Sequence, residues 1–179
     1  MARYGMVIDT LKCVGCMDCV VACKTENNVP IAYNRDWISY ETQGKLPNLH
    51  QEIRSERCNH CDNPPCVSCC PCGASHVHEP GGAVLVYEDK CSGCKACIAA
   101  CPYDARFIHP EGYASKCTFC MHRVENGELP ACVSVCPTYC MTFGDFDDSQ
   151  SEVNKLLASR PHHALIPEAG TKPQIYYLT

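Results

Sequence analysis

The sequence is poor in the residues that usually build a large apolar core. Its 179 residues include only four phenylalanines and one tryptophan. The hydrophobic share is 46%, but 19 of these residues are cysteines. Without the cysteines the share falls to roughly 35%, which is low for an ordinary core. Something other than aliphatic packing must therefore organise this fold.

Long basic and long apolar runs are also absent from the sequence. The formal net charge is −5 and no cluster of lysine or arginine stands out, so nucleic-acid binding has no electrostatic footprint. The apolar stretches fall far short of the roughly 20 residues that span a bilayer. The first residues lead directly into a strand-like segment without the features of an export signal. We expect a soluble chain with no membrane span and no nucleic-acid partner.

Cysteine, in contrast, is abundant, and it falls into four groups that form an internal repeat. Groups one and three share the spacing C-x2-C-x2-C-x3-C, and groups two and four widen the second gap to four and eleven residues. Three of the groups end in Cys-Pro, and group one departs from this pattern with a lysine. The groups are Cys13, Cys16, Cys19 and Cys23; Cys58, Cys61, Cys66 and Cys70; Cys91, Cys94, Cys97 and Cys101; and Cys117, Cys120, Cys132 and Cys136.

This spacing is typical of cubane iron–sulfur clusters. The run C-x2-C-x2-C-x3-C-P is the bacterial ferredoxin signature, in which the fourth cysteine binds the other cluster of a pair. A disulfide scaffold is disfavoured, because the cysteine count is odd and neighbours this close cannot easily bridge each other. Zinc sites use two separated C-x2-C pairs, which is a different pattern. Four such groups predict two pairs of cubanes.

Other residues near the groups are candidates for supporting roles. Cys69, Cys72 and Cys140 lie outside the four groups, and we expect each to be a small buried residue beside a cluster rather than a ligand. His60 could tune a cluster by hydrogen bonding or serve only in packing.

Basic residues are interleaved with the cysteines. An oxidised cubane with four thiolates carries about −2, so four of them would bring the chain to roughly −13. Nearby cations would offset this charge and raise reduction potentials, although some are ordinary solvated side chains. The candidates are Lys12, Lys24, Arg57, Lys90, Lys95, Arg106, Lys116 and Arg123.

Short strands and turns are predicted between the groups. Residues 97–101 predict a small helix, and residues 28–50 predict a polar, proline-containing connector. Ser149 and Glu152 form a capping-box pattern that predicts a helix through Leu157. The predicted strands are residues 4–9, 83–87 and 175–178.

The four groups and their surroundings resemble the iron–sulfur subunit of molybdopterin oxidoreductases of the dimethyl sulfoxide reductase superfamily. The resemblance covers nearly the whole sequence. It is strongest to the polysulfide and thiosulfate reductase branch, with respiratory arsenate reductase next. Its most specific segments are Cys58-x-His60-Cys61 with Pro64-Pro65-Cys66, Cys101-Pro102-Tyr103-Asp104-Ala105-Arg106, Lys116-Cys117-Thr118-Phe119-Cys120, Pro130-Ala131-Cys132 with Cys136-Pro137-Thr138, and Phe143-Gly144-Asp145.

The resemblance implies an α+β fold of two ferredoxin-like cluster-binding modules, with short strands, short helices and many loops organised around four [4Fe-4S] clusters. It pairs group one with group four, and group two with group three. The first module would comprise residues 1–49 and 110–146. The second module would be inserted at residues 50–109, and residues 147–179 would form a C-terminal helix and a strand-like tail.

The resemblance also implies a ligand set for each cluster. In the nitrate-reductase-like branch a tryptophan stands at the position of Cys94 and leaves a three-iron cluster, so the cysteine here predicts four cubanes. The sets are Cys13, Cys16, Cys19 and Cys136 for cluster one; Cys23, Cys117, Cys120 and Cys132 for cluster two; Cys58, Cys61, Cys66 and Cys101 for cluster three; and Cys70, Cys91, Cys94 and Cys97 for cluster four.

These implications predict an electron-transfer subunit without catalytic residues of its own. One partner would be a large molybdopterin catalytic subunit, facing cluster one. The other would be an integral-membrane quinone-reacting subunit or a soluble carrier, facing cluster four. The expected setting is anaerobic respiration of a sulfur compound such as polysulfide or thiosulfate, with arsenate or another molybdoenzyme substrate as the alternative.

Two further expectations follow from the resemblance and from the sequence. Co-export with the catalytic subunit to the periplasmic face is expected, and a cytoplasmic location is the alternative.

A free polyferredoxin-like carrier and a structural metal-binding adaptor remain the competing functions. Co-purification with a large partner would separate the first of these from a docked subunit, and reversible bleaching of visible absorbance would exclude the second.

Overall fold

The computed structural model describes residues 2–179 as short strands and helices joined by many loops. Four of the helices have only four residues, so they depend on packing for their stability. The strands are β1 (Tyr4–Asp9), β2 (Asp36–Lys45), β3 (Asn48–Arg57), β4 (Ser75–Val77), β5 (Val84–Val86), β6 (Phe107–Ile108), β7 (Ala114–Ser115), β8 (Met141–Asp145), β9 (His162–His163) and β10 (Ile175–Leu178). The helices are α1 (Asp18–Glu26), α2 (Pro65–Ser68), α3 (Ala96–Ala99), α4 (Met121–Val124), α5 (Ala131–Ser134) and α6 (Glu152–Ser159), with a 3-10 turn at Pro167–Ala169.

The largest sheet has four strands in the order β8-β1-β10-β9. Strand β1 lies at its centre, antiparallel to β8 and parallel to β10, with Met6 opposite Phe143 on one side and Ile175 on the other. Five of the six residues of β1 are buried, as expected for a strand covered on both faces. The strands predicted at residues 4–9 and 175–178 are confirmed. The C-terminal tail is therefore built into this sheet.

Helix α6 closes one face of the large sheet. Its Val153 is fully buried and packs with Val7, Phe146 and Leu178 in an apolar cluster separate from the main core. The capping residue was predicted wrongly: Ser151, not Ser149, precedes the helix, and its side chain makes no capping hydrogen bond. The helix is held by its buried face instead of by a cap.

A long hairpin of β2 and β3 replaces most of the connector that was predicted at residues 28–50. The two strands pair antiparallel from Asp36 opposite Arg57 to Lys45 opposite Asn48. The prediction is wrong because residues 41–50 are exposed on both faces, so the polar–apolar alternation of a half-buried strand is missing there. The predicted module boundary between residues 49 and 50 falls within β3, so that it would divide the hairpin.

Besides the four-stranded sheet and the β2–β3 hairpin, the structure contains two more two-stranded sheets: β4 with β5, and β6 with β7. Strand β5 confirms the strand predicted at residues 83–87. Helix α3 ends at Ala99, two residues short of the predicted end at Cys101, because the proline that follows Cys101 disfavours helical geometry before it. The result is a small mixed fold of short strands and helices, as predicted for a ferredoxin-like protein. Within the described residues, no helix combines the length and apolarity needed to cross a membrane.

Candidate iron–sulfur centres

Groups one and three share a backbone geometry as well as a spacing. Gly15 and Gly93 have φ angles of 68° and 66°, and Met17 and Lys95 have φ angles of 67° and 65°. In each group a helix, α1 or α3, begins directly after the second of these residues. Left-handed residues alternating with others turn successive backbone N–H groups to one side, which forms an anion-binding nest of the kind found at iron–sulfur sites.

All four groups place their last two cysteines in the same way relative to a helix. The third cysteine is the second residue of α1, α2, α3 or α5, and the fourth follows four residues later. A separation of four residues puts two helical side chains on one face. The fourth cysteine lies within the helix only in group one, and in the other groups it stands two residues past the helix end. The third cysteines are Cys19, Cys66, Cys97 and Cys132.

The helices bring the groups together in two pairs. Helix α1 of group one packs against α5 of group four, and α2 of group two packs against α3 of group three. This is the pairing implied by the resemblance. All nineteen cysteines are free thiols, so each remains available as a thiolate donor.

The predicted set for cluster one surrounds a single small cavity. Its lining includes all four cysteines of the set: Cys13, Cys16, Cys19 and Cys136. Cys140 lines the same cavity. The four residues come from two ends of the sequence and meet here because β8 pairs with β1 and α5 packs on α1.

The predicted set for cluster two is buried throughout. Burial raises the pKa of the Cys23 thiol, and the negative charges of Cys117, Cys132 and Cys120 raise it further. Burial likewise raises the pKa of Cys132 to about 12. Since metal binding requires thiolates, loading this set must release protons.

The predicted sets for clusters three and four differ in exposure. Burial raises the pKa of Cys61 to about 12, and the charges of Cys58, Cys66 and Cys101 act in the same direction. In the fourth set, Cys97 is buried against a half-buried Cys91, whereas Cys94 is exposed.

Backbone N–H groups donate to sulfur in three of the sets. The donors belong to Cys140, Phe119, Ser75 and Ala114, at 3.3–3.4 Å from the sulfur atoms. Such bonds stabilise the charged thiolate. Their acceptors are Cys136 in set one, Cys117 in set two, and Cys70 and Cys91 in set four.

A buried arginine lies among the cysteines of the first module. The Arg57 side chain is 1% exposed, and its Nη1 donates to Cys132 Sγ at 3.2 Å. Its Nη2 lies 3.0 Å from Oδ2 of Asp36, and the other oxygen of that carboxylate, Oδ1, accepts from Ser55 Oγ at 2.9 Å. Burial opposes the charge, but Asp36 and Cys132 hold the pKa of Arg57 above its ordinary value. Asp36 and Ser55 are not among the residues predicted from the sequence, since no local motif marks them.

Two more basic side chains are buried near sulfur. Arg106 Nη2 donates to Cys66 Sγ and to Ser75 Oγ, both at 2.9 Å. Lys116 Nζ donates to the carbonyl oxygens of Val84 and, at 2.7 Å, Cys117. The predicted proximity of cations to the ligands is thus found for Arg57, Arg106 and Lys116, whereas Lys90 and Lys95 are exposed.

His60 is fully buried rather than superficial. Its ring stacks on Phe119 with centroids 3.6 Å apart, and its Nδ1 accepts from the backbone N–H of Val84 at 3.1 Å. Burial holds the pKa of His60 well below its ordinary value, so the ring is neutral and carries its proton on Nε2. Packing is thus an established role of this residue.

The three extra cysteines have different environments. Cys140 is buried as predicted, and its Sγ lies 3.4 Å from that of Cys136. The expectation of burial is wrong for Cys72, which is exposed with its Sγ 3.8 Å from Cys70, and Cys69 is half-buried. Both follow the end of the short helix α2, and Cys69 packs against the buried cluster that contains Cys66 and Cys97.

Several buried donors have no protein partner, which tests the fit to an anionic cluster. They are Nε of Arg57, Nε and Nη1 of Arg106, and Nε2 of His60. Buried donors normally have partners, so these atoms, set among thiols, fit a bound group that is negatively charged. Among residues 2–179, no three His, Cys, Asp or Glu side chains converge closely enough to chelate one metal ion. A cubane does not need such convergence, because each of its iron atoms binds its own thiolate.

The fold and these sites define an iron–sulfur protein. Residues 49–146 match the family described as a 4Fe-4S dicluster domain. This protein belongs to that family, and its cofactors are iron–sulfur clusters.

Its relatives confirm the resemblance predicted from the motifs. The chain is 46% identical over 177 residues to Protein NrfC of Escherichia coli (strain K12), covering 97% of this sequence and 79% of that protein. It is 45% identical over 178 residues to the B subunit of polysulfide reductase of Wolinella succinogenes, covering 97% and 93%. It is 35% identical over 225 residues to the arsenate respiratory reductase iron–sulfur subunit ArrB of Shewanella sp. (strain ANA-3), covering 98% and 96%.

Proposed function

We propose that this protein holds four [4Fe-4S] clusters in two pairs and passes electrons between a molybdopterin catalytic subunit and a second redox partner. The sixteen cysteines in their four predicted sets are the ligands. The second partner is a quinone-linked membrane subunit or another electron carrier. Iron–sulfur clusters exchange single electrons, and the protein's own residues hold them, exclude water and set their potentials.

One observation carries this proposal: among the sixteen predicted ligands, the exposed cysteines belong to the two terminal sets. Cys16 of the first set and Cys94 of the fourth are exposed, whereas the sets for clusters two and three contain only buried or half-buried cysteines. Such an arrangement suits electron entry at one end and exit at the other, with the inner clusters shielded from solvent. A structural adaptor would have no need of it.

The terminal substrate is proposed to be a sulfur compound such as polysulfide or thiosulfate. The sequence is 45% identical to a subunit of polysulfide reductase and 35% identical to a subunit of arsenate respiratory reductase. Arsenate respiration is therefore the second candidate. We also propose assembly on the periplasmic face, because partners of this kind are often exported already folded with a signal on the catalytic subunit.

The first experiment is iron and acid-labile sulfide analysis of the anaerobically purified protein. About sixteen of each per polypeptide is expected for four cubanes. About eight would mean a single loaded pair, and stoichiometric zinc would exclude the proposal. An EPR signal typical of a three-iron cluster in intact protein would contradict the fourth cubane.

The partner and the substrate require the native complex. Purification from the source membrane fraction should recover a large molybdopterin subunit bound to this protein. Oxidation of the dithionite-reduced clusters within that complex should follow addition of polysulfide or thiosulfate. Oxidation by arsenate alone would select the second candidate, and recovery of the protein free of any partner would favour a diffusing carrier. Fractionation of spheroplasts tests the periplasmic assignment.

A further inference from the structure

One buried arginine lies beside the predicted ligands of each pair of clusters. Next to clusters one and two, Arg57 donates to Cys132, the third cysteine of group four, at 3.2 Å. Through Ser55, whose Oγ lies 3.4 Å from Cys19 Sγ, the same side chain reaches the third cysteine of group one. Arg57 is thus linked to the predicted ligands of clusters one and two.

Arg106 has the same placement in the second module. Its Nη2 lies 2.9 Å from Sγ of Cys66, the third cysteine of group two. Cys97, the third cysteine of group three, packs with Cys66 in the same buried cluster, and the charge of Arg106 opposes the effect of burial, which raises the pKa of the Cys97 thiol. Arg106 is 5% exposed and is linked to the predicted ligands of clusters three and four.

This equivalence is not visible in the sequence. Arg57 ends strand β3 immediately before group two, whereas Arg106 follows group three by five residues and precedes β6. The two residues therefore occupy different places in the repeat. Only the packing of α1 on α5 and of α2 on α3 places each guanidinium against the third cysteine of one group in its helix pair.

The physical consequence concerns the charge on the clusters. A guanidinium stays protonated at any accessible pH, and a buried charge is screened far less than an exposed one. Reduction of a cubane adds one electron, and an adjacent fixed cation stabilises the added negative charge. A buried cation close to ligands of two clusters stabilises the reduced form of both.

We propose that Arg57 raises the reduction potentials of clusters one and two, and that Arg106 raises those of clusters three and four. This inference rests on the four-cluster function proposed above. It assigns one shared charge to clusters one and two, and another to clusters three and four. Each pair is then tuned together and independently of the other pair.

The test is an EPR-monitored redox titration of the complete, cluster-loaded protein. The variants are Arg57→Gln and Arg106→Gln, with Arg57→Lys and Arg106→Lys retaining the charge. Lys95→Gln is the matched control, because Lys95 lies beside Cys94 but is exposed. One Cys→Ser ligand substitution in each set assigns the four potentials.

Arg106→Gln should lower the potentials of clusters three and four, changing their oxidised-to-reduced ratio at fixed ambient potential at least tenfold, which is about 59 mV for one electron. Clusters one and two should not move. Arg57→Gln should give the reverse pattern. The lysine variants should stay close to the wild type, and Lys95→Gln should shift the ratio by much less.

Equal shifts of all four clusters, no shift, or an equally large effect of Lys95→Gln would overturn the inference. If a glutamine variant fails to bind its clusters, the potentials of the corresponding lysine variant are compared for the two pairs of clusters. A lysine variant that shifts the potentials of the distant pair also contradicts the assignment. Failure of the proposed four-cluster function gives a different result. In that case the wild-type protein itself would contain fewer than about sixteen iron atoms and would show fewer than four reduction potentials.

Discussion

The Sγ atoms of Cys136 and Cys140 lie 3.4 Å apart, and the backbone N–H of Cys140 donates to the Cys136 sulfur at the same distance. Cys140 also lines the same small cavity as Cys13, and its interaction with that thiol lowers the pKa of Cys13 to about 6. Cys140 therefore stabilises two thiolates of the first predicted set without being needed as a ligand itself.

Cys140→Ala should accordingly retain all of its iron. The backbone N–H remains after the substitution, so one of the two donors to Cys136 survives. Iron analysis of the anaerobically purified variant should give about sixteen atoms per polypeptide, with the exposed Cys72→Ala as control. Loss of about four iron atoms from Cys140→Ala alone would show that Cys140 is a ligand.

Two glycines with the same backbone conformation should respond differently to alanine. Gly93 has φ of 66° and Gly73 has φ of 63°, so both substitutions carry left-handed strain of about 1–2 kcal/mol. A Cβ at Gly93 would lie 2.5 Å from the carbonyl oxygen of Gly112, whereas one at Gly73 would meet nothing within 4 Å. Only Gly93→Ala should displace the loop of group three.

Iron content and EPR spectra measure this difference. Gly93→Ala should lose cluster four, about four iron atoms, and Gly73→Ala should keep the full complement. The full iron content in both variants would mean that this loop tolerates movement and does not define the cluster geometry. Equal loss would attribute the effect to backbone strain alone.

Removal of the clusters should unfold the second module before the first. Apart from the end of β3 and the two-residue strand β6, residues 50–109 contain two helices of four residues and one two-stranded sheet, and such short elements are unstable alone. The first module together with the C-terminal tail retains the four-stranded sheet and α6. We expect the apo-protein as a whole to be largely disordered, because thiolate–metal bonds supply much of the stability.

Anaerobic chelation followed by hydrogen-exchange mass spectrometry tests this order. Protection should disappear first in peptides around α2 and α3 and last in β1 and β10. A mock-treated sample is the control. An apo-protein with native circular dichroism and protease resistance would refute the prediction.

Leu178→Ala should destabilise the whole first module although it is remote from the sulfurs. Leu178 is 1% exposed and packs with Val7, Phe146 and Val153. Truncating a buried leucine costs about 2–5 kcal/mol of unfolding free energy. The thermal midpoint of visible-absorbance loss should fall, while cluster potentials at low temperature stay unchanged.

Leu46→Ala, at the exposed tip of the β2–β3 hairpin, is the matched control and should leave the midpoint unchanged. A wild-type midpoint for Leu178→Ala would mean that the C-terminal strand is dispensable. The tail would then be an appendage to the first module instead of a part of its sheet.

Local pattern was sufficient for some elements and insufficient for others. Strands β1, β5 and β10 were predictable because each is a short apolar run bounded by turns. The β2–β3 hairpin was not, because its distal half is polar on both faces and its pairing resembles a solvated linker in sequence. The cap of α6 was misplaced because two serines stand close to its start and neither forms a capping bond.

The sequence by itself determined the chemistry. Cysteine spacing is a local property, and the groups at residues 13–23 and 91–101 have the same loop geometry because the same spacing and the same glycine position recur. It therefore predicted iron–sulfur clusters and named the sixteen candidate ligands. No long-range information was needed for this step.

Only the tertiary structure decided what surrounds the sulfurs. Arg57 and Cys132 are 75 positions apart, and Asp36 and Ser55 reach them from a hairpin that no motif predicted. Burial and charge at a site depend on which elements pack together, so the effective screening around each thiolate is a property of the folded protein. Spacing fixes which atoms can bind iron, and packing fixes the electrostatic environment in which they would bind it.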